Sequence, residues 1–167
     1  MEADRGKVRL RPPRNVLDRR TIGWWRLQGV LFWASPVLVL VLLGLLIPPA
    51  RFWLLAPAVV FAVLGLAWVI AMPLWWFKVH RWEVTETAVY TRSGFFWQEW
   101  RVAPMSRIQT VDTLRGPLQQ LFSLATVTVT TASARGAVKI KGLDHELAAS
   151  LAEQLTETTQ ATPGDAT

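Results

Sequence analysis

The chain has 167 residues, 51% of them hydrophobic, and carries 18 Lys and Arg against 12 Asp and Glu, a net charge of +6. It contains no Cys, which excludes disulfides, thiolate metal sites and Cys-based catalysis, and its two His, His80 and His145, are too few for a His-rich metal site. A basic balance points to nucleic acid or to an anionic membrane surface, and the placement of the charges chooses between them.

Residues 1–20 read as a disordered basic arm, because Pro12-Pro13 and the charge density oppose a helix. Eight basic residues precede the first apolar run: Arg5, Lys7, Arg9, Arg11, Arg14, Arg19, Arg20 and Arg26. Arg19-Arg20 is a twin arginine. The run after it is very apolar, has no small-residue cleavage site and is followed at once by a second run, so neither an export signal nor a cleaved leader is expected.

The apolar runs extend from Leu27 to Ile47 and from Leu54 to Phe77, and neither holds Asp, Glu, Lys, Arg or His. A helix rises ~1.5 Å per residue, so each run covers the ~30 Å hydrocarbon core of a bilayer. The six residues Pro48-Pro49-Ala50-Arg51-Phe52-Trp53 between them allow only a tight turn. The reading is a two-helix transmembrane hairpin over residues 21–77 with both chain ends on one side. Lys and Arg crowd the flanks, with Lys78 and Arg81 after the second run and only Arg51 in the turn, which places both termini in the cytoplasm. There the flanking charges either meet anionic headgroups, at ~1 kcal/mol each near the surface, or act as topology signals alone.

Trp24, Trp25 and Trp33 near one edge of the first span, and Trp53, Trp75, Trp76 and Trp82 near the edges of the second, read as an aromatic belt. Pro36 and Pro73 mark kinks, and Ala58, Ala62, Ala67 and Ala71 offer small residues for close helix contact. The absence of any ionisable residue inside either run argues against a transporter or an ion channel.

From Lys78 the pattern changes to short strands. Arg81–Thr85 and Ala88–Arg92 flank a turn at Glu86-Thr87, Ser93-Gly94 turns the chain again, and Phe95–Val102 forms a third strand ended by Pro104. Arg107–Thr113 is a fourth, with imperfect alternation that points to a bulge. Gly116-Pro117 breaks the chain before one helical turn at Leu118–Phe122. Thr126–Thr131 is the clearest strand, with Val127 and Val129 toward the core. Ala134-Arg135-Gly136 makes a turn. Val138 and Ile140 then alternate with Lys139 and Lys141, and Gly142 ends the sheet. Asp144 caps a final helix whose stripe Leu143, Leu147, Leu151 and Leu155, with Ala148 and Ala152, packs on the sheet. Residues beyond Thr156 fray.

The residues Ala103–Asp112, Arg115–Val127 and Ile140–Leu143, in that order behind a hairpin, resemble the bacterial PH-like, membrane-flanked domain family of the YdbS type. Its pattern runs Pro-x-x-Arg-Ile-Gln, Gly-Pro-Leu-Gln-Arg-x-Phe-Gly-Leu-Ala-Thr and Gly-Leu before a closing helix, and the likeness covers about residues 20–157. Gln120 stands where the family carries a basic residue, which weakens an anion grip at that turn. Ser123 stands where it carries Gly, which argues against a positive-φ turn there. The resemblance implies a pleckstrin-homology-like fold on the cytoplasmic face of a bacterial membrane. It implies no catalytic residue and no cofactor, and a larger membrane protein with several copies of the domain as partner.

The expected architecture is therefore a membrane α-helical hairpin followed by a small, mainly-β PH-like barrel at 78–157 closed by a C-terminal helix, with a disordered tail at 158–167. The expected role is a membrane-anchored interaction or scaffold domain that binds a partner membrane protein. The alternatives are anionic-lipid headgroup recognition, or an accessory subunit of a transporter or envelope enzyme. Candidate contacts are Arg107, Gln109, Arg115, Gln119, Lys139 and Lys141. Arg107, Gln109 and Gln119 lie among turn formers and core residues, where hydrogen bonding to backbone competes with ligand binding. No Gly-rich phosphate loop, Gly-x-Ser-x-Gly elbow or His-Glu-x-x-His sequence is present, so no enzyme is expected. From Lys78 to Thr167 nine basic residues balance nine acidic ones, so nucleic acid is not an expected partner.

Overall fold

The structure is a computed structural model that describes residues 13–95, 97–132 and 136–161. Strand β1 (Asn15–Val16) leads into helix α1 (Arg20–Leu46). A 3-10 turn at Pro48–Ala50 reverses the chain into helix α2 (Arg51–Val79). Strands β2 (Arg81–Val84), β3 (Ala88–Gly94) and β4 (Gln98–Pro104) follow, then β5 (Ile108–Leu114), the short helix α3 (Pro117–Leu121), β6 (Leu124–Thr131), β7 (Val138–Asp144) and helix α4 (His145–Ala161). The strands form two antiparallel sheets of order β1-β2-β3-β4 and β5-β6-β7. This is a PH-like barrel with a helical hairpin in front.

Helices α1 and α2 are long and apolar enough to cross a membrane, and most of their large apolar side chains face outward. What holds them together is small residues, but not the alanine series. Ala58 is buried, whereas Ala62, Ala67 and Ala71 face outward. The close approach is made by glycine. A Cβ on Gly65 would sit 2.7 Å from Trp33 Cβ, one on Gly29 3.0 Å from Val69, and one on Gly44 3.0 Å from Leu55. Tight backbone approach of this kind is how helices associate in lipid, where hydrophobic driving force is absent.

The hairpin and the barrel share one core. Leu17, Trp24 and Trp25 are buried in the cluster that holds Trp82, Val89, Leu124, Val127, Val129, Ile140, Leu143 and Leu155. Trp24, Trp25 and Trp82 are thus core residues, not members of a membrane belt, and Trp82 Nε1 donates to the Val16 carbonyl at 3.2 Å. Burying side chains of this size contributes roughly 1.5–3 kcal/mol each. The boundary expected at residues 77/78 does not separate two cores.

Part of the expected basic arm is also structured. Asn15 and Val16 pair with Trp82 and Arg81, and Asp18 N donates to the Gly142 carbonyl at 3.2 Å. Pairing is possible because β2 otherwise presents an unsatisfied edge. Residues 1–12 of that arm, Ala134-Arg135 of the expected turn and the tail beyond Ala161 lie outside the described residues.

Four local expectations shift. The third strand begins at Gln98, because Gly94 (φ 125°) turns the chain and Phe95 leaves the sheet to meet Trp75 of α2, edge-on at 6.5 Å. Gly142 does not end β7. It sits at φ 73° in a bulge between the pairs Ala125↔Leu143 and Thr126↔Lys141, and the strand continues to Asp144. Ser123 does adopt a positive φ, 53°. In α4 the buried positions are Ala148, Leu151 and Leu155, a helical i, i+3, i+7 set. Leu143 belongs to β7, and Leu147 is 45% exposed. Asp144 caps as expected, its Oδ1 accepting from the amides of Glu146 and Leu147.

Candidate functional site

Where α1 and α2 enter the barrel, the ends of the helices leave a cavity of about 560 Å³. Trp25 and Trp76 form its hairpin side, and His80 follows α2 directly. Thr91, Ser93, Gly94 and Phe95 come from β3 and its turn, Glu99 and Arg101 from β4, and Ala137, Lys139 and Lys141 from β7 and its approach. Each position has a local cause. Alternation along β7 buries Val138 and Ile140 and turns Lys139 and Lys141 outward. Trp25 is wedged against Trp76 at 5.5 Å and His80 at 5.4 Å.

The electrostatics favour an anion. Three basic side chains line the cavity against one carboxylate, and that carboxylate is engaged: Arg101 Nε donates to Glu99 Oε1 at 2.7 Å, while Arg101 Nη1 donates to the Ala137 carbonyl at 3.0 Å. Lys139 and Lys141 make no ion pair among the described residues. Burial, and then the charge of Lys141, hold His80 below the usual imidazole range against the raising effect of its bond to Trp76. His80 is therefore neutral at pH 7, with Nδ1 donating to the Trp76 carbonyl at 2.9 Å and Nε2 left as an acceptor. The hydroxyls of Thr91 and Ser93 add uncharged donors. A volume in the few-hundred Å³ range suits a small molecule or a headgroup, and ammonium and guanidinium donors make the stronger, charge-assisted hydrogen bonds to phosphate oxygens.

Of the six candidate residues, the structure brings Lys139 and Lys141 together here and places the other four elsewhere. Gln119 is buried and structural: its Oε1 accepts from the Gly116 amide at 3.0 Å and its Nε2 donates to Thr126 Oγ1 at 2.8 Å. Arg107 ends the turn before β5, and its carbonyl accepts from the Ala132 amide. Gln109 and Arg115 are exposed on β5 and just after it. Sequence reasoning missed His80, Arg101, Trp25 and Trp76. A signal existed for Trp25, Trp76 and His80, which lie at the ends of the apolar runs where lipid headgroups begin, and none for Arg101.

A second, apolar groove of about 380 Å³ lies on the hairpin and is lined by Trp25, Gln28, Gly29, Phe32, Trp33, Trp68 and Trp76.

Comparison with known proteins gives this arrangement a family. The chain is 29% identical over 160 residues to the transmembrane protein YdbS of Bacillus subtilis (strain 168), covering 92% of this chain and 97% of that one. No solved structure matches it. The family model described as bacterial PH domain matches residues 27–159, from the first span through the closing helix. A hairpin fused to a seven-stranded PH-like barrel, matched over most of its length, belongs to the bacterial PH domain family.

Proposed function

We propose that this membrane-anchored PH-like domain recognises anionic lipid headgroups at the cytoplasmic face of a bacterial inner membrane, with both termini cytoplasmic. The carrying observation is the basic cavity at the junction of hairpin and barrel, with Lys139, Lys141 and Arg101 beside the two helix ends. A site fixed there meets headgroups as they lie in the leaflet. Confinement by the hairpin raises the effective headgroup concentration, so a weak intrinsic site suffices.

The test is a lipid-retention measurement on the full-length protein in mixed micelles of phosphatidylglycerol and phosphatidylcholine. Anionic lipid is expected to be enriched, with enrichment falling as salt rises and dropping on the order of 10-fold or more in Lys139→Ala/Lys141→Ala, at ~1 kcal/mol per charge. Equal retention of the two lipids by the wild-type chain would sink the reading.

A second reading, docking to another membrane protein, rests on a separate surface. Among the described residues, strands β4 and β5 each pair on one side only, and Leu114 and Leu121 are 65% and 71% exposed on β5 and α3. Unpaired edges and exposed apolar residues of this kind serve strand addition or partner contact. Leu114→Lys and Leu121→Lys should then release a co-purifying membrane protein while leaving lipid retention intact.

A further inference from the structure

The headgroup cavity and the apolar groove share two walls. Trp25 and Trp76 line both, with the basic side chains on the barrel side and Phe32, Trp33 and Trp68 on the hairpin side. The first space carries charge and hydroxyl donors. The second is almost wholly aromatic and lies along the membrane helices. Trp25 and Trp33 are eight residues apart on α1, about 12 Å along the axis, so the groove descends from the headgroup level into the hydrocarbon. The buried indole nitrogen of Trp33 does not open into the groove, so Trp33 offers it apolar contact alone.

We infer that the occupant is one whole anionic phospholipid, its phosphate held by Lys139 and Lys141 and one acyl chain laid along the groove over the contacting rings of Trp33 and Trp68. This rests on the headgroup reading and goes further, because it commits the site to a diacyl lipid and excludes a soluble phosphate as the natural ligand. The aromatic walls supply apolar contact along the chain, and the shared Trp25 and Trp76 set the distance between phosphate and chain. The groove is built into the fold: Gly29 forms part of it, and a Cβ at that position would press on Val69 at 3.0 Å.

The experiment uses the full-length protein in phosphatidylcholine nanodiscs. A small fraction of either phosphatidylglycerol or phosphatidylcholine carries a brominated acyl chain that quenches tryptophan emission on contact. At equal fractions, brominated phosphatidylglycerol should quench with a saturable excess over brominated phosphatidylcholine. That excess should fall on the order of 10-fold in Lys139→Ala/Lys141→Ala and shrink in Trp33→Phe/Trp68→Phe, which keeps the aromatic packing and removes the reporting indoles. Inorganic phosphate at equal concentration should not displace the lipid. If phosphatidylglycerol is retained through the lysines without excess quenching, the acyl-chain inference is overturned and the headgroup reading stands. If neither retention nor quenching distinguishes the two lipids, both are overturned. If phosphate displaces the lipid, the site reads the phosphate alone and the inference is overturned.

Discussion

Gly142 does more at the residue scale than any other position. Its positive φ forms the β7 bulge, and its carbonyl accepts from Thr21 Oγ1 at 2.8 Å and from the Asp18 amide at 3.2 Å. A Cβ there would sit 2.4 Å from Thr21 Oγ1. Gly142→Ala therefore combines backbone strain with a clash at the joint between hairpin and barrel. It is expected to destabilise by about 1–3 kcal/mol, read as a lower midpoint in thermal unfolding. Ser123 is the opposite case. It bears a side chain in a left-handed conformation (φ 53°) that favours glycine. Ser123→Gly is expected to be neutral to stabilising by up to about 1 kcal/mol, since relief of strain outweighs added chain entropy. A clear loss of stability would show that the Ser hydroxyl matters more than the backbone. Neither backbone state follows from residue type: Ser rarely adopts positive φ, and only the turn into β6 imposes it.

At the element scale, a clamp joins the start of α1 to the end of β7. Arg20 donates to both Asp18 oxygens, at 3.0 and 2.9 Å, and to Asp144 Oδ2. Its side-chain hydrogen bonds are the largest cause holding both carboxyls below the usual range. His145 Nδ1, 3.9 Å from Asp144 Oδ2, is the other titratable group in contact. Because both acids titrate near ~3.9 when unfolded, the clamp contributes fully above about pH 5 and is lost as pH falls through the lower folded values. All three side chains are partly exposed, so the contribution is modest, about 1 kcal/mol or less. Asp144→Asn keeps the helix cap and should flatten the acid limb of stability against pH; an unchanged limb would exclude the clamp as its source. Only Asp144 was legible in advance, as a cap. Its partnership with Arg20 joins residues 124 apart and has no local signature.

The whole molecule is one body because Leu17, Trp24 and Trp25 complete the barrel core. A fragment beginning at Lys78 loses them all, and removing one buried Trp typically costs about 3–5 kcal/mol. Such a fragment is expected to lack a cooperative unfolding transition and to bind hydrophobic dye, whereas the full-length chain unfolds cooperatively. A stable, cooperative fragment would show that the barrel folds without the hairpin. Shared packing also fixes the cavity relative to the two apolar helices, with Phe95 reaching Trp75 and Trp97 left 89% exposed at the tip of the same turn.

The hairpin was readable from composition because spanning a membrane is a matter of uninterrupted apolar length, which each segment carries in itself. The strands and closing helix were readable because side-chain period reports burial on one face, as at Val138–Lys141. The three motif blocks were enough for the family. Burial of Trp24, Trp25 and Trp82 was not readable, since a Trp near a span edge looks the same whether it meets headgroups or a barrel core. Nor was the site. Lys139 and Lys141 stood out as a basic face, but their neighbours Trp25, Trp76, His80 and Arg101 come from three other elements, α1, α2 with its end, and β4. They converge only when the hairpin packs against the edges of two sheets, and long-range packing of that kind leaves no periodic trace along the chain.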